Sequence, residues 1–464
     1  MFFISVLAAG ITQPRRLLFM REYLYRVKDS IRTELWPVPL IALLLAVVLG
    51  LSLPELDRAS YASATDNPRW PWVFSGGPDA ARDVLTTISG SLMTVTSLTF
   101  SLTVVTLQLA SSQFSPRLLR NFTADRFVHV TLAVFLGSFT YSLFVLTAVR
   151  TEDESGPEFV PHLSVTFAII LALASVFALV LFLAHLAREI RVEMVMKNVR
   201  AETARQIEQI YPEYTTDFQP IPDEPNERIL RLRSRKSGFL AAVDTQALLR
   251  AAEETNTMIR FDAKVGDSVI EGAPHISIWP GPGSSGISGE QHERLKSAFL
   301  DATTVNSERS VLNQPEFGLR QLSDIACKAL SPGVNDPTTA QDAMVHIGSL
   351  LGVASNRVTG PRLFRDETGQ PRLLVNQHTF ADLLDTGLTQ LRVYSEADPV
   401  VLRRLANMLR DIAWADRSKR HEAEIQVHLD RLSESVNRCA HIEADKKEIR
   451  AALDDARVAL KRNL

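Results

Sequence analysis

The sequence predicts a membrane protein of mixed class. Four transmembrane α-helices are followed by a cytoplasmic α+β domain that combines a small β half-barrel with C-terminal helices. Three observations carry this. The long apolar runs fall almost wholly before about Leu186. Several of them reach the roughly 20 residues that a helix needs to cross a bilayer core. The remainder is rich in Arg, Glu and Asp with ordinary globular patterning. Averages hide this division, since 464 residues with a net charge of -3 would suit a large soluble protein.

The expected spans are Trp36 to Leu53, Val84 to Ala110, Phe127 to Val149 and Leu163 to Leu186. Their flanks agree on one orientation. Arg15, Arg16, Arg21, Arg26, Lys28 and Arg32 precede the first span, whereas the loop after it is mainly acidic. Arg117, Arg120 and Arg126 mark the second loop, acidic residues the third, and Arg188, Arg191, Lys197 and Arg200 follow the fourth. Positive residues stay inside, so both termini are expected in the cytoplasm of a bacterial inner membrane. The start, MFFISVLAAG, lacks a basic segment before it and is a poor signal peptide. Met20, directly before REYLYRVKDSIR, offers an alternative start, so that residues 1–19 either belong to the protein or precede its true start.

The second span is unusual. It has no charged side chain between Val84 and Phe114, yet nearly every second residue is Ser or Thr. On a helix, Gly90, Thr94, Ser97, Ser101, Gln108 and Ser112 form one stripe. Thr96, Thr99, Thr103, Thr106 and Ala110 form another on nearly the opposite face. A helix polar on two sides is expected at the centre of a bundle. Two readings stand side by side. Small hydroxylated residues let helices approach closely, and hydroxyls with Gln108 can also line a hydrated path when several subunits meet. From Val84 to Phe114 the helix is roughly 45 Å long, and Pro116 ends it with a turn. Arg117 and Arg120 then serve as headgroup anchors or as an inner pore mouth.

No carboxylate or Lys falls within any span so bounded, which ranks coupled transport below passive conduction. His129 and His185, near the cytoplasmic ends of the third and fourth spans, are read as interfacial or packed imidazoles.

A basic helical stem from Ala187 to Ile210 leads through a Pro- and acid-rich linker to Gly238. There SGFLAAVD reads as a strand, Asp244 caps a short helix, TMIRFDA is a strand, and short strands with Gly turns follow to Trp279. PGPGSSG has no following Lys-Ser or Lys-Thr and is a loop rather than a phosphate-binding one. The helix FGLRQLSDIACKAL meets the next at SPGVND, with Asp336 as N-cap and Pro337 at the first helical position. This corner is packed, or its helix N-terminus, with Ser331, Asn335, Asp336, Thr338 and Thr339, takes a small anionic ligand. From Pro399 onward the pattern is charged, amphipathic helix. The division is thus a basic N-terminal segment (1–34), a transmembrane domain (35–186), a stem and linker (187–237), a β-rich subdomain (238–280) and a mainly helical cytoplasmic domain (281–464).

The turn series VGDSVIEGAPHISIW looks like the half-barrels of biotinyl and lipoyl carriers. Glu271 and Gly272 stand where those present their modified Lys, so no swinging arm is expected. The stretches GSLMTVTSLTFSLTVVTLQLASSQFSPRLLRNF, EFGLRQLSDIACKALSPGVNDPTTA and VGDSVIEG together resemble a bacterial family of predicted multipass membrane proteins, domain of unknown function 2254. The resemblance implies an inner-membrane location and brings no activity, ligand or catalytic residue.

An enzyme is the weakest class. The sequence has no metal-ligand spacing, nucleophile elbow or phosphate-binding glycine loop. His421 and His428 with Glu422 come nearest to a metal cluster and read as a solvated face. Cys327 and Cys439 suggest no disulfide framework. Neither metal nor cofactor is expected, and balanced charge gives nucleic-acid binding little support. The expected partners are membrane lipids and further copies of the chain. The leading expectation is an oligomeric channel-like protein whose second helices surround a hydroxyl-lined path gated by the cytoplasmic half. The alternative is a membrane-anchored ligand sensor or scaffold without a pore.

Overall fold

The structure, a computed structural model, describes residues 36–63, 72–113, 125–151, 158–189, 191–214, 230–284, 286–307, 309 and 314–461. Residues 1–19, most of the linker, and Arg117 and Arg120 lie outside the described residues. The chain divides into two compact units, Met1–Arg191 and Val192–Leu464.

In the first unit, four helices are long and apolar enough to cross a membrane. They are α1 (Pro37–Ser63), α2 (Pro78–Gln113), α3 (Arg126–Ala148) and α4 (His162–Glu189). The expected spans are all present, but α1 runs past Leu53. Its apolar stretch reaches Ala59 and brings Glu55 and Asp57 into a candidate span, which corrects the expectation that no carboxylate falls there. Asp125 caps α3, its carboxylate accepting from the Phe127 N–H at 2.8 Å.

The helix at the centre is α3, not α2. It packs against all three others, and α4 touches both α1 and α2. Half of the apolar window of α3 is buried against 22% of that of α2. The reason lies in small residues on α1 and α3. A Cβ on Gly50 would stand 2.6 Å from Phe144 Cβ, and Gly137 faces Ala42, so these two backbones approach closely. Around α3 the remaining seats are peripheral, and α2 takes one of them.

The second unit begins with α5 (Val192–Ile210). A five-stranded sheet runs in the order β1-β5-β3-β8-β7, from β1 (Leu230–Arg233), β3 (Thr257–Phe261), β5 (Pro274–Pro280), β7 (Arg362–Arg365) and β8 (Pro371–Val375). All its pairings are antiparallel except β3 with β8, where Ile259 lies opposite Leu373. A second sheet orders β4 (Ser268–Val269), β2 (Gly238–Val243) and β6 (Thr303–Asn306). The strands expected between Gly238 and Trp279 therefore form, but they do not close on one another. They are shared between two sheets, each completed by strands from outside that segment, and β3 and β5, buried along most of their length, take interior places in the larger one.

Asp244 caps α6 (Thr245–Glu254) as the sequence indicates. This helix and α7 (Gly289–Ala302) supply Leu248, Ala252, Leu295 and Phe299 to a core shared with Ile259, Phe261, Ile276, Ile278 and Leu373. The rest is helical: α8 (Pro315–Ala329), α9 (Pro337–Ser355), α10 (Phe380–Tyr394), α11 (Pro399–Ala415), α12 (Glu422–Arg438) and α13 (Glu443–Lys461). α5 crosses α8 at close range. A Cβ on Gly318 would lie 1.8 Å from Thr203 Oγ1, so only glycine fits there. The reading of His421 and His428 as a solvated face is corrected. Both imidazoles are buried, on the side of α12 that carries Ile425, Leu429 and Leu432.

Candidate functional site

The second helix carries its two hydroxyl stripes on opposite sides, and the fold treats them differently. Thr99, Thr103 and Thr106 are buried with Leu85, Ser89 and Leu92 on the face toward the bundle. There the hydroxyls close on their own helix. Thr96, Thr103 and Thr106 donate to the carbonyls of Leu92, Thr99 and Leu102 at 2.7, 2.9 and 2.8 Å. Such back-bonding satisfies a hydroxyl in a medium without water. The Thr99 hydroxyl is buried without a hydrogen-bond partner among the described residues.

Gly90, Thr94, Ser97, Ser101 and Gln108 are all exposed on the single chain. Thr94 donates to Gly90 O at 3.1 Å. From Gly90 to Gln108 this face is about 27 Å long, close to the thickness of a hydrocarbon core. Exposed on the same helix are Met93, Leu98, Phe100, Val104, Val105 and Leu109, so the polar stripe is a strip on an otherwise apolar surface. Side chains of the other peripheral helices, α1 and α4, are exposed as Leu, Ile, Val and Phe, as lipid contact requires. The bundle thus buries one hydroxyl face of α2 and turns the other outward.

Polar residues missed by the sequence tie both ends of the bundle. Asp57, buried on α1, accepts from Ser164 N at 2.9 Å and from Ser164 Oγ at 2.8 Å, and so satisfies the first turn of α4. His162 Nδ1 lies 2.7 Å from Phe74 O, and Phe74 N donates to Thr166 Oγ1 at 2.9 Å. At the other end His185 Nε2 sits 2.5 Å from Asp125 Oδ2, and its ring packs 4.6 Å from Phe127. His129 is buried. Both imidazoles are thus packed, and His185 has a carboxylate partner 60 residues away in sequence, a pairing without a local signal.

In the second unit the SPGVND corner has the expected shape, with Asp336 as N-cap and Pro337 in the first turn. Its polar groups are spent on itself. Asp336 accepts from the N–H and the hydroxyl of Thr339 at 3.0 and 2.6 Å, and Ser331 Oγ donates to Lys328 O. These bonds, the Thr339 hydroxyl first, hold the Asp336 carboxyl below its ordinary range. Asn335, at a positive φ of 50°, and Thr338 are exposed. A carboxylate already occupies the helix N-terminus where an anion would sit.

A cleft of about 710 Å³ opens elsewhere in this unit. Lys264, Arg309, Arg320, Arg392 and Arg431 line it together with four carboxylates and His378, and no apolar side chain is among its described lining residues. Local spacing does not reveal it, since these residues come from five separate segments.

The family described as predicted membrane protein (DUF2254) matches residues 32–411. The Uncharacterized protein Mb1321c of Mycobacterium bovis and the Uncharacterized protein Rv1290c of Mycobacterium tuberculosis are each 32% identical over 407 residues, which cover 87% of this chain and 76% of theirs. No solved structure matches the chain.

Proposed function

Taking as premise that the chain belongs to the DUF2254 family of predicted membrane proteins, we propose that it is an oligomeric, channel-like protein. In this reading several copies turn the outward face of α2 toward a common axis, and the second unit regulates the path between them. One observation carries it: Gly90, Thr94, Ser97, Ser101 and Gln108 are exposed along a length that matches a bilayer core, while the opposite hydroxyl face is buried within the chain. Gln108 and the serines are poor neighbours for acyl chains and good ones for water or another copy. The basic flanks of the spans support a bacterial inner-membrane setting with both termini in the cytoplasm.

The test uses the full chain with Cys327 and Cys439 replaced by Ala and a single Cys at position 97 or 101. Copy-to-copy disulfides should form in the membrane, and the cysteine-free protein should conduct in planar bilayers, with conductance altered by Ser101→Leu. Absence of cross-links together with electrical silence across voltages and ion gradients removes the reading. A second reading, a ligand sensor or scaffold without a pore, is favoured by the polar cleft. It predicts ligand binding with no conductance at all.

A further inference from the structure

We propose that the cleft in the second unit binds a phosphate group of a small phosphorylated molecule. The inference is independent of conduction and of the SPGVND corner. Its volume, about 710 Å³, falls within the usual range of small-molecule sites, and its lining suits only a highly polar ligand.

Four carboxylates line the cleft, and each is already committed. Glu316, 7% exposed at its side chain, lies 3.4 Å from Arg309 and 3.9 Å from Arg320. Asp382 accepts from Lys264 Nζ at 2.6 Å and from the Thr379 N–H and hydroxyl at 2.7 and 2.9 Å. Asp267 accepts from the Lys264 N–H at 2.9 Å. Asp385 accepts from Arg431 at 2.8 Å and from Thr389 at 2.9 Å.

The donors are not used up in the same way. Arg431 donates to Asp385 through Nη1, and Arg392 donates to Glu396 and Ser435 through Nη1. In each, the Nε–Nη2 edge makes no hydrogen bond to the described residues. That edge is the two-donor fork that takes an oxyanion side-on. Arg320 donates through Nη1 to Gln390 and leaves Nε uncommitted. His378 is also among the lining residues. The carboxylates thus fix the guanidiniums in place while donors remain in excess. Several donors arriving from separate helices suit a tetrahedral, many-oxygen anion better than a planar carboxylate. The phosphate can be free in solution or belong to a lipid headgroup.

The test titrates inorganic pyrophosphate onto the full chain in phosphatidylcholine nanodiscs, read by calorimetry. Saturable binding is expected, and Arg431→Gln, a change at a half-exposed side chain, should weaken it about tenfold or more. Arg431→Lys, which keeps the charge and loses the fork, should weaken it severalfold and covers the case in which the first variant misfolds. Nanodiscs containing phosphatidic acid separate the two sources. Competition with pyrophosphate assigns the cleft to a headgroup, and undiminished binding assigns it to a soluble phosphorylated molecule. No saturable binding in either disc, or binding unchanged in both Arg431 variants, overturns the proposal.

Discussion

Asp57 and Ser164 stand 107 residues apart in sequence and are joined by two hydrogen bonds, both accepted by one carboxylate oxygen. Tyr141 completes the cluster, its hydroxyl donating to Ser164 O at 3.1 Å. A residue of α1 therefore closes the start of α4, with α3 holding the same turn from its side. Asp57→Ala leaves a buried helix N-terminus without its acceptor and should cost about 2 kcal/mol. Asp57→Asn, which keeps one acceptor, should cost less. Thermal unfolding of the detergent-solubilised chain measures both.

Gly318 admits no larger residue, because Thr203 occupies the space of its missing Cβ. Gly318→Ala should destabilise the second unit by about 1–3 kcal/mol through overpacking. Thr203→Ala in the same chain should restore part of this, since it removes the atoms at 1.8 and 2.9 Å but leaves the Thr203 Cβ at 2.9 Å. Denaturant midpoints of the two variants give the comparison.

Burial holds the His428 imidazole down to about 4, with Arg431 and Arg392 adding to the effect and Asp385 opposing it. The unfolded chain, with an ordinary value near 6.5, binds this proton first. Stability is therefore full above about pH 6.5, falls as pH drops toward 4, and levels off below. The loss from this one group is up to about 3 kcal/mol. Burial depresses His346 and His421 in the same direction, so the slope is shared. A His428→Gln chain should show a flatter decline between pH 6.5 and 4 in chemical denaturation.

The two faces of α2 should respond oppositely to a bulky apolar residue. Thr103→Leu enters the packed face and should destabilise the individual chain by about 1–3 kcal/mol. Ser101→Leu lies on the exposed face and should leave the folding of one chain unchanged while altering cross-linking between copies. Equal destabilisation at both sites would show that the Ser101 stripe is packed within the chain rather than turned outward, and unchanged cross-linking would show that it is merely surface.

The spans and the caps at Asp244 and Asp336 were legible because each is written within one stretch of chain. Apolar length, a side-chain acceptor and a following Pro are local signals. The seat of α2 was not, because two polar stripes say only that the helix is polar on both sides. That α3 takes the centre depends on Gly50 and Gly137 meeting Phe144 and Ala42 across helices. The hairpin of β7 and β8, although local, and the helix α10 also went unread, and the place of β8 beside β3 depends on a partner far away in sequence. The same holds for the cleft. Arg320, Arg392 and Arg431 look like solvated charges on three separate helices until the fold brings them to one space. Likewise His185 and His428 have carboxylate neighbours that spacing alone does not reveal.

The parallel pairing of β3 with β8 sets an order on biosynthesis. Phe261 meets Val375, and everything between them has to leave the ribosome before the middle of the larger sheet can close. Until then β3 presents an open hydrogen-bonding border beside an apolar surface, the kind of border that recruits other unfinished chains. A nascent or prematurely terminated product ending before residue 371 keeps that border uncovered, which makes such fragments natural clients for chaperones and targets for quality-control proteolysis.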